Sequence, residues 1–319
     1  MIAVLCGGVG AARFLSALAQ VVEPVQTVGI VNTGDDTVLH GLMVAPDLDT
    51  VTYTLADAID RDRGWGLADE SWRAMEALQR YAAVRPHHSS AAPTWFNLGD
   101  RDLATHFYRT ARLDEGATLA EVTMEVCEAW GVRQRLIPMS NQRVSTVVTL
   151  ADGGDVPFQE YFVKLRHGVP VSNVRFDGAG VAELAPGVAQ ALTDADCVVI
   201  APSNPLVSIG PIRALRGVDA MLAGRRSSVV AISPIVGGAA LKGPADRMLR
   251  ELGHEPSVVG VARLYAAIAG VLVIDPIDAH LAAAVEAEGM RAIVTPSVMS
   301  SPEIGAALAR AVLRAASVE

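Results

Sequence analysis

The stretch that decides the fold is IAVLCGGVGAAR, residues 2–13. Its first four residues are apolar, which predicts a short buried strand, and a glycine loop follows at once. Residues 11–22 then have a helical pattern, and a second apolar run, residues 27–32, follows Pro24. This order of strand, glycine loop, helix and strand predicts a βαβ unit, and such units build parallel sheets.

The same pattern returns in the last third of the chain. β-Branched runs occupy residues 197–201, 229–233 and 271–275, and each ends in proline or a polar loop. Three helical stretches lie between or after these runs: 244–252, 279–289 and 303–316. The two ends of the chain therefore predict one α/β fold with a doubly wound, mostly parallel, Rossmann-like sheet.

The middle of the chain differs from its ends. Residues 61–130 are more charged and helical in pattern, and the turn sequence DGGD at 152–155 separates strand-like runs at 145–150 and 157–164, which predicts a hairpin.

No linker or repeat divides the sequence, so we expect a single domain over residues 1–319. Its nucleotide-binding α/β core would comprise about 1–60 and 181–319. A largely helical insertion with a β-hairpin, about 61–180, would cap the carboxyl edge of the sheet.

Composition and charge exclude several classes of function. The 319 residues carry a net charge of −9, whereas non-specific binding to nucleic acid needs a basic face. Cys6, Cys127 and Cys197 are far apart, which favours reduced core thiols over disulfides or a zinc site. The first residues lack a basic region, and the late apolar stretch 264–274 is too short to span a membrane. We expect a cytoplasmic protein without a membrane partner.

The first glycine loop has two interpretations. Gly8 and Gly10 would let the backbone approach a phosphate at the positive end of the following helix. However, Arg13 stands where a dinucleotide fingerprint has its third glycine, and the Gly-Lys-Ser/Thr of a Walker loop is absent. A tight turn that packs the helix on the strand is the alternative.

Four carboxylates follow the second strand within 15 residues: Asp35, Asp36, Asp47 and Asp49. They could form turns, with Asp49 capping a helix from about residue 50. Clustered carboxylates repel each other unless a cation lies among them, and Mg²⁺ held by one or two of them and by ligand phosphates meets that need. His40 alone is more often a loop or core histidine.

Three further loops carry polar side chains. In the segment 95–102, Asp102 could cap a helix and Arg101 could pair with Asp100. Alternatively, the segment could cover a planar ligand. The loops at 202–211 and 233–238 follow predicted strands, so they share an edge with the first glycine loop and could bind a nucleotide or simply form turns. No Ser–His–Asp order or zinc spacing stands out, and direct displacement at phosphorus needs neither.

Taken in order, these motifs resemble one family. The chain carries GGVG at 7–10, GDD at 34–36, HG at 40–41, PDLDT at 46–50, LGDRD at 98–102, TH at 105–106, FQE at 158–160, PSNP at 202–205, SIGP at 208–211 and SPI at 233–235. Over essentially its whole length it resembles the 2-phospho-L-lactate transferase family of coenzyme F-420 biosynthesis, the CofD/FbiA group.

The resemblance implies a reaction. Members use a guanosine diphosphate that bears phospholactate or phosphoenolpyruvate on its outer phosphate. The terminal ribityl hydroxyl of the deazaflavin Fo attacks that phosphorus, and GMP leaves. The resemblance further implies Mg²⁺ as cofactor and a homodimer.

The resemblance also implies site residues. The nucleotide would be bound by Gly7, Gly8, Val9, Gly10, Arg13, Ser203, Asn204, Ser233 and Gly237. Fo would be bound by Asp49, Thr50, Asn97, Asp100 and Arg101. The catalytic residues would be Asp49 and Asp36, and the metal ligands Asp35 and Asp49. The chain departs from many members, which have threonine at position 9 and a lysine shortly after the loop, and residues 87–93 look like an extra loop.

Two rival functions share the glycine loop. The first is a non-catalytic, nucleotide-sugar-binding regulator from a related family; the motifs at 46–50 and 98–106 favour the transferase. The second is an NAD-dependent dehydrogenase, which is disfavoured because Asn32 and Thr33 stand where an acidic ribose ligand is expected.

Overall fold

Fourteen strands and twelve α-helices make up the computed structural model, which describes residues 1–316. The strands are β1 (Ile2–Cys6), β2 (Thr27–Val31), β3 (Thr37–Leu39), β4 (Leu42–Val44), β5 (Arg135–Pro138), β6 (Ser145–Leu150), β7 (Asp155–Pro157), β8 (Val171–Asp177), β9 (Cys197–Ile200), β10 (Val229–Ile232), β11 (Ile235–Val236), β12 (Ala239–Ala240), β13 (Val271–Ile274) and β14 (Arg291–Val294). The helices are α1 (Gly8–Leu18), α2 (Pro46–Leu55), α3 (Arg73–Ala82), α4 (Asp100–Asp114), α5 (Leu119–Ala129), α6 (Val188–Asp194), α7 (Gly210–Ala214), α8 (Val218–Gly224), α9 (Ala245–Glu251), α10 (Val258–Tyr265), α11 (Ala282–Ala287) and α12 (Pro302–Ala316).

The central sheet confirms the predicted fold class. Its seven strands are all parallel, in the order β14-β13-β10-β9-β1-β2-β5. β1, β2, β9, β10 and β13 are buried along their whole length, as their apolar, largely β-branched sequences require in a sheet covered on both faces. The chain leaves β1 toward β2 and later returns to its other side through β9. The loops after β1 and β9 therefore diverge at a topological switch point, where open α/β sheets bind ligands.

Two hydrophobic cores lie on opposite faces of this sheet. One core is built from α1, α2, α5 and α12, represented by Phe14, Leu48 and Val312. The other is built mainly from α6 to α11, represented by Leu192, Val261 and Val285. Cys6, Cys127 and Cys197 are buried free thiols, as predicted.

The cap comprises α3, α4 and a small antiparallel sheet in the order β7-β6-β8. The turn at 152–155 is confirmed, because Val148 pairs with Val156 across it. The predicted second strand at 157–164 is wrong: only β7 is extended, and Glu160–Lys164 forms a π-helical turn whose Tyr161 is buried against Phe158.

Three other boundaries differ from the sequence prediction. Helix α1 begins at Gly8, inside the predicted glycine loop, because Gly7 already takes the extended N-cap conformation. Strand β5 lies within the predicted cap range, yet it pairs with β2 as an edge of the central sheet. The two-stranded hairpin β3–β4 was not predicted. Within residues 1–316, no helix has both the length and the apolar character needed to cross a membrane.

Candidate functional site

The loops that follow β1 and β9 are joined by a hydrogen bond and pack closely. The Ser203 hydroxyl donates to the Gly7 carbonyl oxygen at 2.8 Å. A Cβ on Gly10 would lie 2.3 Å from the Pro202 carbonyl oxygen, so position 10 admits only glycine without a backbone shift. The glycine loop is thus a tight turn that packs closely against the β9 loop at the edge of the sheet.

A carboxylate lies at the positive end of helix α1. The Gly8 backbone N–H donates to Asp47, and Asn32 Nδ2 donates to Asp47 Oδ2 at 2.8 Å. Gly8 takes φ +71°, a conformation that glycine adopts without strain. Burial raises the pKa of Asp47 to about 6. Any phosphate bound at this helix end would therefore meet a negative charge, which calls for a cation nearby.

Asp35 is buried and Asp36 is half-buried, and both have shielded carboxylate oxygens that make no hydrogen bond within residues 1–316. Asp35 is 6% exposed, and its Oδ1 has no hydrogen-bond partner in the described chain; neither oxygen of Asp36 has one. Burial, and then the charge of Asp47, raise the pKa of Asp35 well above its usual value. Burial is also the largest cause of the strongly raised pKa of Asp36, which Arg109 opposes and Asp49 reinforces.

Asp49 does not cap a helix, so that interpretation is wrong. Helix α2 begins at Pro46, which places Asp49 one turn inside it. Both carboxylate oxygens of Asp49 accept from Arg109: Nη1 donates to Oδ2 at 3.2 Å, and Nη2 donates to Oδ1. Arg109 is 3% exposed and Asp49 5%, so this is a buried, bidentate ion pair between α2 and α4. Thr50, the next residue, is also buried.

A polar network extends from this ion pair. Arg109 Nη1 lies 3.2 Å from His106 Nδ1. Because a guanidinium can only donate, Nδ1 is the acceptor in this contact, which leaves Nε2 as the ring nitrogen that can carry a proton. That nitrogen lies 3.3 Å from Asp102 Oδ2, whose other oxygen accepts from the Tyr53 hydroxyl at 2.7 Å. Asp102, His106 and Arg109 follow the i, i+4, i+7 spacing of one helix face.

Asp49, Asp102 and His106 could also offer ligands to a metal, since their donor atoms lie within 4.8 Å of one another. Arg109 already brings a positive charge to that group and also opposes the raised pKa of Asp36, whereas no cation acts on Asp35 within residues 1–316. Asp35 does not belong to the group, so the structure does not join the predicted ligands Asp35 and Asp49 in one cluster.

The cap residues expected near Fo make local contacts. Asp100 begins α4 and accepts from the Ser71 N–H at 2.8 Å and the Ser71 hydroxyl at 3.1 Å. The Arg101 guanidinium donates to the Ala68 carbonyl oxygen at 2.7 Å rather than to Asp100. Asn97 is exposed. The α4 residue that faces Asp49's network is Asp102, not Asp100 or Arg101.

Two cavities flank the β3–β4 hairpin. The smaller, about 110 Å³, is lined by Thr33, Asp36, Thr37, Met43, Leu113, Leu119, Asn141, Gln142 and Arg143. The larger, about 810 Å³, is lined by Val38, Leu39, His40, Gly41, Arg85, Ser89, Ser90, Ala91, Ala92, Pro93, Trp95, Glu160 and Lys164.

In the late loops, the predicted nucleotide-binding groups are engaged with protein. Asn204 Oδ1 accepts from the Leu206 N–H at 2.9 Å, and the Ser233 hydroxyl donates to the Ile235 carbonyl oxygen at 2.9 Å. The Gly237 N–H donates to buried Asp278 at 2.9 Å. The hydrogen bonds of these groups therefore stabilise the conformations of the loops that follow β9 and β10.

Sequence reasoning missed Lys242, which follows the hairpin β11–β12. Its Nζ lies 2.7 Å from the position that a Cβ on Gly64 would take, and the same position is 3.9 Å from the Val9 side chain. Arg13 is exposed one helical turn after Val9. Neither cation forms an ion pair with any residue of the described chain, so both are free to meet an anion beside the glycine loop. Arg109 was also missed, and His106 was recognised only as part of a motif without a role, although the spacing of the polar residues on α4 indicated a shared face.

Sequence comparison identifies the family. The 2-phospho-L-lactate transferase CofD family matches residues 2–303. Proteins named phosphoenolpyruvate transferase from Kitasatospora aureofaciens and Streptomyces griseus are 42% and 43% identical to this chain, over 98% and 99% of it and 96% and 98% of their own lengths. The protein of that name from Mycolicibacterium smegmatis is 39% identical over 99% of both chains.

Structural comparison supports the fold alone. A Bacillus halodurans protein superposes with a TM-score of 0.63 over 98% of each chain, at 16% identity. A second structure from that organism, described as a member of the UPF0052 family, gives 0.61 at 15% identity. The sequence match, in contrast, extends over nearly the whole chain, from residue 2 to residue 303. The chain belongs to the 2-phospho-L-lactate transferase CofD family.

Proposed function

We propose that this protein transfers a phosphoenolpyruvyl group from a guanosine-diphosphate-linked donor to the ribityl hydroxyl of Fo, releasing GMP. The relatives' shared name favours phosphoenolpyruvate over phospholactate as the three-carbon acid. One observation carries the proposal: two carboxylates with shielded, unused oxygens, Asp35 and Asp36, lie at the edge of the sheet where the glycine loop ends. Buried carboxylates without partners are costly, and they are typical of sites that bind a cation or move a proton.

The proposed reaction is one displacement at phosphorus. The ribityl oxygen forms a bond to the outer phosphorus of the donor, while the bond from that phosphorus to the bridging oxygen breaks. The bridging oxygen departs with GMP, and the hydroxyl proton passes to a carboxylate or to water. No protein nucleophile is required, because positioning and charge neutralisation provide the catalysis.

For the nucleotide, the proposed site is the crevice between the β1 and β9 loops. Gly7, Gly8, Val9 and Gly10 would offer backbone at the start of α1, with Arg13 and Lys242 as the cations that offset the diphosphate charge. Ser203, Asn204, Ser233 and Gly237 would contribute by holding the loops, in line with their present hydrogen bonds.

For Mg²⁺, the residues present fit the ion. Asp35 and Asp36 together have three oxygens without a hydrogen-bond partner in the described chain, and hard oxygen ligands are what Mg²⁺ prefers. Asp49 is the other predicted ligand, and it would have to share an oxygen with Arg109. When bound, Mg²⁺ would neutralise charge on the transferred phosphate.

For catalysis, we assign two carboxylates. Asp49 is held in one orientation by Arg109, so it can accept a hydrogen bond from the attacking hydroxyl and direct it toward phosphorus. Asp36 has a raised pKa and is the second candidate to take the proton. Thr50, Asn97, Asp100 and Arg101 would bind Fo from α2 and from the start of α4.

Replacement of Lys242 tests the nucleotide site. Lys242→Met should weaken GDP binding about tenfold, a loss of ~1.4 kcal/mol, because an unpaired ammonium beside the glycine loop is removed. Isothermal titration calorimetry would measure this, with exposed Arg216→Met as the control. Equal losses in the two variants would indicate only a change in net charge.

Replacement of Arg101 tests the acceptor side. Arg101→Ala should raise the KM for Fo about fivefold, ~1 kcal/mol, and leave GDP affinity unchanged, since Arg101 belongs to the cap and not to the nucleotide crevice. Steady-state kinetics and calorimetry measure the two effects. Loss of GDP binding with normal Fo kinetics would show that the subsites are assigned the wrong way round.

The regulator is the competing function, and Fo binding separates the two. Titration of the protein with Fo, followed by its fluorescence, should saturate when GDP and Mg²⁺ are present. Saturable binding of a uridine-diphosphate sugar without any binding of Fo would favour the regulator.

A further inference from the structure

The guanidinium of Arg109 has more donors than Asp49 can use. Its two terminal nitrogens each donate to one carboxylate oxygen of Asp49. Nη1 carries a second proton, and two further acceptors lie within its reach: His106 Nδ1 at 3.2 Å and the Met43 carbonyl oxygen at 3.4 Å. A long side chain with several rotatable bonds holds a partner still only if it is itself held. The orientation of Asp49 therefore depends on the groups that hold Arg109.

His106 supplies the closer of these two contacts. It precedes Arg109 by three residues on α4, so the two side chains are neighbours on one face of the helix. The ring is 0% exposed, so solvent does not compete for the contact. The same nitrogen lies 3.7 Å from Asp49 Oδ2, which is too far for a hydrogen bond. His106 therefore acts on Asp49 through Arg109, and an imidazole that accepts through Nδ1 does so without adding a charge.

The other side of the ring faces a fixed carboxylate. His106 Nε2 lies 3.3 Å from Asp102 Oδ2, although the two atoms are not aligned for a hydrogen bond. Asp102 is itself anchored twice: its Oδ1 accepts from the Tyr53 hydroxyl at 2.7 Å, and its N–H donates to Glu70 Oε1 at 2.8 Å. The second Glu70 oxygen accepts from the Leu67 N–H at 2.9 Å. The imidazole is thus enclosed between a cation at one nitrogen and an anchored carboxylate at the other.

Stability alone does not explain this arrangement. Asp49, Asp102, His106 and Arg109 are each at most 8% exposed. Burial of charged side chains has a desolvation cost that apolar residues of similar volume avoid, even where the charges are paired. An apolar ring at position 106 would fill the space without a buried nitrogen. The imidazole adds a fixed acceptor for Arg109, and buried polar networks of this kind restrict side chains to one arrangement.

We propose that His106 is a positioning residue: it holds the guanidinium of Arg109, which in turn holds the Asp49 carboxylate in the orientation that receives the attacking hydroxyl. This assignment rests on the proposed function, in which Asp49 directs that hydroxyl toward phosphorus. His106 contacts neither substrate, so its effect is on the rate of transfer rather than on the binding of the donor or of Fo.

Three substitutions at position 106 separate the two nitrogens of the ring. Asparagine can place an amide oxygen where Nδ1 accepts, glutamine reaches the position of Nε2, and phenylalanine keeps the ring volume without an acceptor. With saturating donor and Mg²⁺, His106→Phe should lower kcat about thirtyfold or more and leave the KM for Fo within about threefold of wild type. His106→Asn should retain about a fifth or more of wild-type kcat, whereas His106→Gln should be as slow as His106→Phe.

Melting temperature and GDP affinity are measured for every variant, and the kinetics are recorded below the lowest melting temperature. Leu192→Ala is the control, because it truncates a buried side chain of α6 in the core on the other face of the sheet. It should lower the melting temperature and leave kcat unchanged. If His106 only stabilised the fold, kcat would follow the melting temperatures of the variants, and glutamine would restore as much activity as asparagine.

Slow turnover in His106→Phe and His106→Gln, with recovery in His106→Asn and normal GDP binding throughout, would support the assignment. If His106→Phe does not fold, the comparison of asparagine with glutamine decides alone. Equal recovery by the two amides would overturn the assignment, and so would near-normal turnover in His106→Phe or a joint loss of kcat and GDP binding. A wild-type protein that transfers nothing to Fo would overturn the proposed function, and this assignment with it.

Discussion

Asp49→Asn should lower kcat at least a hundredfold and should also lower the free energy of unfolding by about 3–5 kcal/mol. The loss of stability follows from Arg109, which is 3% exposed and would be left as a buried cation without a full negative charge. Thermal denaturation and single-turnover kinetics measure the two effects. Asparagine at position 49 is therefore not a neutral probe of catalysis.

A double variant separates the two effects. Asp49→Asn with Arg109→Met removes both charges, so most of the stability should return, because a buried ion pair replaced by neutral groups costs little. If Asp49 orients the attacking hydroxyl, kcat stays at least a hundredfold low in this stable protein. Recovery of turnover in the double variant would reduce Asp49 to a structural partner of Arg109. Asp219→Asn, in the more exposed pair with Arg213, is the control and should leave kcat unchanged.

Asp36→Asn should raise the melting temperature of the metal-free protein at pH 7.5 while abolishing turnover. The pKa of Asp36 is well above its usual value in the fold, and that of Asp47 is raised to about 6. A carboxyl whose pKa is raised on folding holds its proton longer in the folded state, so stability falls as pH rises from about 4 through the folded pKa. The wild-type melting temperature should therefore fall between pH 5 and 7.5, and more steeply than that of Asp36→Asn.

Mg²⁺ should reverse this loss. At pH 7.5, ion concentrations near a hundred times Kd should stabilise wild type by ~2.7 kcal/mol and Asp36→Asn far less. Differential scanning fluorimetry at several pH values measures both, with exposed Asp62→Asn as the control. A Mg²⁺ response in Asp36→Asn equal to that of wild type would exclude Asp36 as a ligand and leave Asp49 with Asp35.

The sheet could be predicted from the sequence because its strands are local signals. Residues 2–6, 197–200 and 229–232 are apolar, rich in β-branched residues, and followed by glycine or proline. Strand β5 gave no such signal: Arg135 to Pro138 is short and carries charge and proline, and only its pairing with β2 makes it a strand. The hairpin at His40 was hidden for a similar reason, since its strands have only three residues each and its turn lacks the Asn-Gly or Asp-Gly signal.

The motifs of the site could be predicted from the sequence, whereas the contacts between their side chains could not. The acidic segments at 35–36 and 47–49 were recognised, because their composition is unusual on its own. The partner of Asp49 lies 60 residues away on another helix, and nothing local to position 49 reveals it. Spacing on α4 could have shown that Asp102, His106 and Arg109 share one face, and that face is more informative than the exposed Asp100 and Arg101. The homodimer and the cytoplasmic location stay predictions.

Mass spectrometry of reaction products tests the proposed activity most directly. The purified protein would be incubated with Fo and Mg²⁺ and, in separate reactions, with guanosine diphosphate linked to phosphoenolpyruvate or to phospholactate. We expect Fo to gain the mass of the phosphoenolpyruvyl group while an equal amount of GMP appears, with slower or no conversion of the phospholactyl donor. Intact Fo and no GMP with either donor, from protein that binds GDP normally, would contradict the proposed transferase.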